Sequence, residues 1–280
     1  MREINVSEIT KTVAKLCIDA NLYLPEDLQC RIKDCKNQEN SELGKRIFNT
    51  MEKNMEIASS KQIPICQDTG LALIFVELGQ DVHVVGGDLV QAINDGVAKG
   101  YIEGYLRLSV LSDPLEGTNT NNNTPAIIYT DIVAGDKLSI MVAPKGGGSE
   151  NMSSLRTFRP SSTPQDIMDY VVEACVSAGS NPCPPMVVGV GIGGTADKAM
   201  LLSKKAMLRD LDTSNKSELY ASMERDILQR VNESGIGPQG LGGDITALSV
   251  AIEQHPSHIA GFPVGVSIGC HVTRHKYAIL

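Results

Sequence analysis

The sequence predicts an α/β protein in which helices flank a mixed sheet, with a helical segment at the N-terminus. Three observations predict this class. Apolar residues recur at three- and four-residue steps through residues 5–60, which indicates helices. Short apolar runs alternate with helical patterns further along the chain, and the 26 glycines cluster in the connections between them. No repeat or linker interrupts the pattern, so a single large domain over residues 1–280 is expected.

The N-terminal segment is predicted to form three helices. Apolar residues mark one face of the first helix at Val6, Ile9, Val13, Leu16 and Ala20. Ser7 is predicted to be its N-cap. A second helix should begin near Pro25, because proline suits a first helical turn and the two acids that follow it suit the positive end of a helix. The third is expected over residues 41–59.

Strands and helices then follow in alternation. The patterns predict strands at residues 71–78, 82–85, 126–132, 137–143, 186–190 and 260–268, and a short apolar segment at 247–253. They predict helices at residues 89–104, 164–177, 195–208 and 217–234.

Composition excludes several classes of protein. The formal net charge is −8, and no block of lysine and arginine could follow a phosphate backbone, so nucleic acid is not expected as a partner. The sequence has no run of 18 apolar residues, so no membrane-spanning helix is expected. The first 24 residues are charged and lack the apolar core of a secretory signal, so a reducing cytoplasm is the expected location.

Three of the seven cysteines stand in rigid loops at the ends of predicted strands. Cys66 follows Ile-Pro-Ile, Cys183 lies in Asn-Pro-Cys-Pro-Pro, and Cys270 lies in Ser-Ile-Gly-Cys-His. Proline and glycine restrict such loops and can direct a sulfur towards a site. The other four are interpreted as packing or incidental residues: Cys17, Cys30, Cys35 and Cys175. An odd number of cysteines in a reducing compartment argues against a disulfide framework.

The three loop cysteines leave two interpretations open. Thiolates from Cys66, Cys183 and Cys270 could hold an iron–sulfur cluster, with one iron left open to act as a Lewis acid on a substrate oxygen. They could equally be buried thiols of an ordinary core, because no Cys-x-x-Cys pair supports a cluster.

Other motifs have competing interpretations. A zinc site is a weaker possibility for five residues near the C-terminus, whose spacing fits no familiar finger: His255, His258, Cys270, His271 and His275. Gly189–Gly194 matches the dinucleotide pattern G-x-G-x-x-G, but no acidic residue ends a strand about 20 residues later. A close packing turn between a strand and a helix is therefore favoured there. The glycines after Lys145 could form an anion nest or a flexible hairpin end.

Taken together, the ordered motifs resemble the α-type domain of the class I, iron–sulfur fumarate hydratase and L-tartrate dehydratase family. The matching segments run in family order over roughly residues 1–275: Cys66-Gln67-Asp68-Thr69-Gly70, Leu106–Ser109, Lys145–Asn151, Asn181-Pro182-Cys183, Gly189–Gly194, Gly240–Asp244, and His258–Gly261 leading to Cys270.

The resemblance implies a [4Fe–4S] cluster on Cys66, Cys183 and Cys270, with one open iron. It also implies substrate contacts from Gln67, Arg107 and Gly148, and proton handling by Asp68 and His258. The implied activity is the reversible hydration of fumarate to L-malate by the α subunit of a hydro-lyase.

The same resemblance implies a partner, and other interpretations of the motifs leave rival functions open. A separate β subunit is expected to supply the general base and further substrate clamps, in a heterodimer or an (αβ)₂ assembly. The alternatives are an L-tartrate dehydratase α subunit, a non-catalytic iron–sulfur carrier and an NAD-dependent oxidoreductase. A carrier needs no substrate-binding residues and normally closes its cluster with four ligands.

Overall fold

The computed structural model describes residues 2–280 and confirms the α/β class with mixed sheets and a helical N-terminal segment. The helices are α1 Val6–Leu22, α2 Glu26–Gln38, α3 Glu42–Lys61, α4 Leu89–Glu103, α5 Gly147–Glu150, α6 Pro164–Ala178, α7 Ala196–Met207 and α8 Glu218–Asn232, with a 3-10 turn at Pro238–Gly240. The strands are β1 Arg2–Asn5, β2 Leu71–Gly79, β3 Val82–Val85, β4 Ile127–Val133, β5 Leu138–Lys145, β6 Ser154–Phe158, β7 Met186–Gly193, β8 Ala247–His255, β9 Phe262–Gly269 and β10 Lys276–Ile279. Within residues 2–280, no helix is long and apolar enough to cross a bilayer.

The chain folds into two compact units, each with its own core. Unit 1 contains the chain up to Pro25, Met55–Gly147 and Arg274–Leu280. Unit 2 contains Glu26–Asn54 and Gly148–Thr273. No change of composition marks this division, because each unit is assembled from segments that are distant in the sequence.

Unit 1 is built on a four-stranded sheet in the order β10-β5-β2-β4, in which β2 and β4 are parallel and β5 is antiparallel to both β2 and β10. One face of this sheet packs with α1 and α4 in an apolar core. Alternate residues of β2, such as Ile74 and Val76, point into that core, as expected for a strand with one covered face. A short parallel pair, β1 with β3, completes the unit.

Unit 2 contains the sheet β6-β9-β7-β8, in which β7 and β8 are parallel and β9 is antiparallel to β7 and β6. The core on one face contains Val188 and Val190 of β7 together with residues of α6 and α8. On the other face α7 lies against Gly189 and Gly191. A Cβ atom at either glycine would come within 2.0 Å of a carbonyl oxygen of α7. The glycines therefore serve close helix–strand packing, which confirms the interpretation favoured over a dinucleotide site.

Several boundaries differ from the prediction for local reasons. The N-cap of α1 is Asn5, whose side chain accepts a hydrogen bond from the backbone N–H of Ser7, so the prediction of Ser7 as N-cap was wrong. Three strands were not predicted: β1, β6 and β10. Each is only four or five residues long, and β6 and β10 lie at sheet edges. Short edge strands carry little periodicity that a pattern search could detect.

Candidate active site

The seven cysteines fall into two environments. Cys17, Cys35 and Cys175 are buried, and desolvation raises the pKa of their thiols to about 12, about 11 and about 12 respectively. Such thiols stay protonated at neutral pH and do not offer thiolates to a metal. The three cysteines predicted as ligands lie outside the apolar interior: Cys66 and Cys270 are half-buried, and Cys183 is exposed.

In unit 1, the turn that follows Cys66 is fixed by buried side chains. Arg274, only 2% exposed, donates from Nη2 to the carbonyl oxygen of Asp68 at 2.6 Å. The hydroxyl of Tyr101 donates to the carbonyl oxygens of Thr69 and Gly70, at 2.9 and 3.1 Å. These contacts satisfy three successive carbonyls of a turn that forms no regular structure.

The same guanidinium is also bound through Nε. Nε of Arg274 donates to Oδ1 of Asn21 at 3.0 Å, and the carbonyl oxygen of Asn21 accepts from the backbone N–H of Ile65 at 2.9 Å. Ile65, directly before Cys66, and Asp68, two residues after it, are thus anchored through one buried Arg–Asn pair. Cys66 therefore stands on a rigid support rather than on a mobile loop.

The carboxylate of Asp68 is directed to the glycine loop. Its Oδ2 accepts from the backbone N–H of Gly147 at 2.8 Å, and its Oδ1 accepts from that of Gly70 at 3.1 Å. A Cβ atom at Gly146 would come within 3.0 Å of Oδ2. The Gly147 amide predicted as part of an anion nest is therefore engaged by a carboxylate of the protein itself. Gln67, next to Asp68, is exposed.

Arg107 is placed beside this turn by a reciprocal pair of hydrogen bonds. Its backbone N–H donates to Oγ1 of Thr69 at 2.9 Å, and the same hydroxyl donates to the carbonyl of Arg107 at 3.2 Å. The side chain of Arg107 is exposed. A thiol, an amide, a carboxylate and a guanidinium therefore lie on or directly beside one anchored turn of unit 1: Cys66, Gln67, Asp68 and Arg107.

In unit 2, the loops that carry Cys183 and Cys270 are in contact. The backbone N–H of His271 donates to the carbonyl oxygen of Cys183 at 3.4 Å, and its Nδ1 lies 3.0 Å from the same oxygen. The pairing of Val187 with Gly269 brings the adjoining strand ends together. Cys183 has φ of +55°, an uncommon conformation for a residue with a side chain. Tertiary contacts hold it there.

Gly148 belongs to the same region of unit 2. A Cβ atom on Gly148 would lie 3.1 Å from the carbonyl oxygen of Asn181, two residues before Cys183. Glycine thus allows the start of α5 to approach the cysteine loop closely. Gly148 is exposed and lies at the solvent side of this contact.

His258 lies at the opposite end of the strands of the same sheet. It follows β8, whose last residue, His255, pairs with Gly193 at the end of β7, and Ser257 donates to the carbonyl of Gly194. Cys270 follows β9, whose end pairs with the start of β7. The eight residues of β9 separate the two ends of the strands by roughly 25 Å. The structure therefore does not bring His258 together with Cys183 and Cys270 within unit 2.

The same separation divides the five residues considered as a zinc site. His255 and His258 lie at one end of the strands, whereas Cys270 and His271 lie at the other end. Across residues 2–280, no group of three or more histidine, cysteine, aspartate or glutamate residues is gathered as a single metal ion would require. The geometry thus opposes the zinc interpretation.

Several positioning residues had no signal that sequence reasoning could use. Arg274, Tyr101 and Asn21 act on the Cys66 turn although they are far from it in sequence. A buried arginine near a C-terminus has the same sequence signature as a surface one, so only the fold distinguishes them.

The fold and these loops define an α/β protein that presents accessible cysteines on loops held by buried side chains, with an exposed glutamine and an exposed arginine beside one of those cysteines. Residues 10–279 match the family model described as Fumarate hydratase (Fumerase), and the chain belongs to that family.

Relatives resemble the chain over almost its full length. A Methanocaldococcus jannaschii protein named "Putative L(+)-tartrate dehydratase subunit alpha" is 40% identical over 273 residues, which cover 95% of each chain. Proteins named L(+)-tartrate dehydratase subunit alpha from Escherichia coli and Shigella sonnei are each 31% identical over 272 residues, covering 96% of this chain and 89% of theirs. The prediction of the family is confirmed.

Proposed function

We propose that this chain is the α subunit of an iron–sulfur hydro-lyase that removes water from a small hydroxydicarboxylic acid, with L-tartrate as the first candidate substrate. The single observation that carries the proposal is the placement of three accessible cysteines, Cys66, Cys183 and Cys270, on anchored loops beside polar groups suited to a dicarboxylate. The family membership of residues 10–279 supports the hydro-lyase class.

The donor set fits a [4Fe–4S] cluster. Cys66, Cys183 and Cys270 are accessible, whereas the cysteines buried in the cores carry thiols of raised pKa. Cys66, Cys183 and Cys270 would supply the thiolates that hold such a cluster. Three cysteines leave one iron for substrate, and the chemistry that such a cluster supplies when bound is Lewis-acid assistance to the loss of a hydroxyl group.

Residues of the protein would orient the substrate. Arg107 carries a planar guanidinium that matches a carboxylate in two parallel hydrogen bonds. Gln67, exposed on the same anchored turn, can donate or accept a hydrogen bond at a second polar group of the substrate. Gly148 has no side chain and leaves its backbone open to a ligand beside the Cys183 loop.

Asp68 and His258 are the proposed proton-handling residues. The Asp68 carboxylate is already oriented by the amides of Gly147 and Gly70, so it can exchange a proton with departing water without first being ordered. His258 is exposed at the end of the unit 2 strands that lies away from Cys183 and Cys270. If it acts on a substrate bound near Cys183, it must therefore do so from another chain.

The choice between substrates is supported by different observations. The relatives named above are L(+)-tartrate dehydratase α subunits, which favours L-tartrate. The family model is named for fumarate hydratase, which favours the hydration of fumarate to L-malate as the second candidate. L-Tartrate and L-malate differ by one hydroxyl group, so the same carboxylate-binding groups would serve both.

A β subunit is the proposed partner, because the relatives are named as α subunits. It would supply the general base and further substrate clamps, in an αβ or (αβ)₂ assembly.

The test is to purify the chain anaerobically, alone and with its β partner, and to assay L-tartrate and L-malate dehydration. Activity should require both chains and favour L-tartrate. Full turnover by the lone chain would contradict the split site, and a preference for L-malate would favour the second candidate.

The cluster is tested separately by iron and sulfide content. The anaerobically purified wild type should contain close to four irons and four sulfides, as a cubane requires. Cys183→Ser should lose most of both, whereas Cys30→Ser, an exposed cysteine on α2, should retain them. Equal iron content in all three proteins would contradict the ligand assignment.

A further inference from the structure

The side chain of Gln239 connects the two cysteine loops of unit 2. Its Nε2 donates to the carbonyl oxygen of Pro184 at 2.8 Å and lies 3.2 Å from Nδ1 of His271. Its backbone N–H also donates to the carbonyl oxygen of Pro184 at 2.8 Å. Pro184 follows Cys183, and His271 follows Cys270. One glutamine thus contacts the neighbour of each cysteine.

His271 completes the connection. Its ring nitrogen Nδ1 lies 3.0 Å from the carbonyl oxygen of Cys183 and 3.2 Å from the Gln239 amide. With a proton on Nδ1 the ring donates to that carbonyl, and in the other tautomer the Gln239 amide donates to the ring. One of the two bonds therefore forms in either tautomer. The link between the loops does not depend on how the imidazole is protonated.

Backbone geometry indicates that this arrangement is imposed rather than relaxed. Cys183 and Gln239 both adopt left-handed conformations, with φ of +55° and +57°. Such conformations are disfavoured for residues with a Cβ atom and persist where surrounding contacts determine them. Both strained residues lie within the same small network of hydrogen bonds.

The loop that carries Gln239 is itself anchored. Glu39, 1% exposed, accepts hydrogen bonds from the backbone N–H groups of Asp244 and Ile245, at 2.9 and 3.0 Å through Oε2. Asn40 donates from Nδ2 to the carboxylate of Asp244 at 2.7 Å. The α2–α3 turn therefore holds the end of the glycine-rich segment from which Gln239 projects.

We propose that Gln239 and His271 are positioning residues that hold Cys183 and Cys270 as a preorganised thiol pair ready to bind a soft metal. The role of this pair in holding an iron–sulfur cluster rests on the proposed function. The pair itself does not, because any thiophilic ion can report on it. A fixed separation of two thiols reduces the ordering cost of metal binding, and in other metal sites residues that hydrogen-bond the ligands hold them in place in this way.

The test uses Cd²⁺ and the full-length chain with Cys30→Ser and Cys66→Ser. This parent protein retains Cys183 and Cys270 as its accessible cysteines, while Cys17, Cys35 and Cys175 remain buried. Cd²⁺ is titrated into the reduced protein without iron, and thiolate-to-metal absorption in the ultraviolet gives both the number of thiolates bound and the affinity. The parent should bind one Cd²⁺ through two thiolates.

Three variants are then compared with the parent. Gln239→Ala and His271→Leu should each weaken Cd²⁺ binding by about tenfold or more, in the range seen when residues that hydrogen-bond metal ligands are removed. Gln229→Ala, an exposed glutamine on α8, is the matched control and should bind as the parent does. A parent without a two-thiolate site, or network variants that bind as tightly as the parent, would overturn the proposal.

A conservative variant separates positioning from loss of folding. His271→Asn restores an amide group near the position of Nδ1 and should recover Cd²⁺ affinity to within about threefold of the parent. If His271→Leu also melts early, recovery of affinity and melting temperature together in His271→Asn supports positioning, and failure to recover affinity overturns it. Absence of a cluster in the wild type would instead defeat the proposed function and leave this result standing.

Discussion

At the scale of single residues, the environment of each cysteine decides what it can do. The thiols of Cys17 and Cys175 lie in apolar cores, where desolvation raises the pKa of each to about 12. In the unfolded chain the same groups would titrate near pH 8.5. Ionisation is therefore suppressed in the folded state.

This difference predicts selective alkylation. With iodoacetamide at pH 8, Cys30, Cys66, Cys183 and Cys270 should react, whereas a thiol of pKa about 12 is a thiolate in only about one molecule in 10,000. Cys17 and Cys175 should react only after denaturation, as peptide mass spectrometry can establish. Rapid labelling of either in the folded protein would show that the core is open.

The same pKa values predict a pH dependence of stability. Because the folded-state pKa values are raised, the stabilisation is fully present below the unfolded value and is lost as the pH rises above it. The unfolding free energy measured in urea should therefore fall between about pH 8.5, the unfolded value, and about pH 12, the folded value. Replacing Cys17 and Cys175 with alanine should flatten that fall.

Arg274 illustrates a buried charge used as a structural tie. Replacing it with methionine would leave the Asp68 carbonyl and the Asn21 side chain without their charged donor. Arg274→Met should lower the unfolding free energy by about 3 kcal/mol, because hydrogen bonds to charged groups are the stronger ones and buried acceptors are costly to leave unmatched. Urea denaturation measures this, and Arg159→Met, at an exposed arginine, should change it by less than about 0.5 kcal/mol. Equal effects would refute the anchoring role.

At the scale of elements, the contact between β7 and α7 depends on glycine. Gly189 and Gly191 leave no room for a Cβ atom, since the carbonyl oxygens of Ser203 and Ala199 would lie 2.0 Å from it. A glycine pattern of this kind resembles a phosphate-binding fingerprint, yet here the helix itself occupies the space. Sequence context distinguished these possibilities because no acidic strand end follows.

Gly191→Ala should therefore destabilise the protein by about 3 kcal/mol or more, since α7 would have to move away from the sheet. Gly261→Ala is a suitable control, because its Cβ atom would meet neighbours at ordinary distances of 3.7 and 3.8 Å. Thermal melting of both variants checks the prediction. A Gly191→Ala protein as stable as the control would mean that the helix and strand are not packed as described.

At the scale of the whole molecule, the order of strands decides which loops can meet. In unit 2, the antiparallel pairing of β9 with β7 places Cys270 beside the Cys183 loop. It places the loop that carries His258 at the opposite end of the strands. Eleven residues lie between His258 and Cys270 in sequence, but a whole strand separates them in space.

This separation predicts that substitutions at His258 and at Cys183 have different effects on iron content. His258→Asn should retain wild-type iron and sulfide, because the residue lies far from both cysteines of unit 2. When the β partner is present, its turnover should fall by about 100-fold or more, as expected for the loss of a proton-handling group. A His258→Asn protein that loses its iron would contradict the described sheet order. One that turns over normally would remove His258 from the proposed mechanism.

Much of the fold and part of the candidate site could be predicted from the sequence alone. The helices and longer strands follow from local periodicity, as the agreement at Val82–Val85 and at the start of Leu89–Glu103 shows. The three loop cysteines were separable from the others because proline and glycine flank them.

Other features were decided only by tertiary structure. Local sequence does not encode which distant segments share a core, so neither the division into two units nor the anchoring by Arg274, Tyr101 and Gln239 could be predicted. The position of His258 depends on strand order, which long-range pairing sets. Periodicity reports which face of an element is buried, whereas partner choice depends on contacts between residues far apart in the chain, and it is these contacts that position the functional groups.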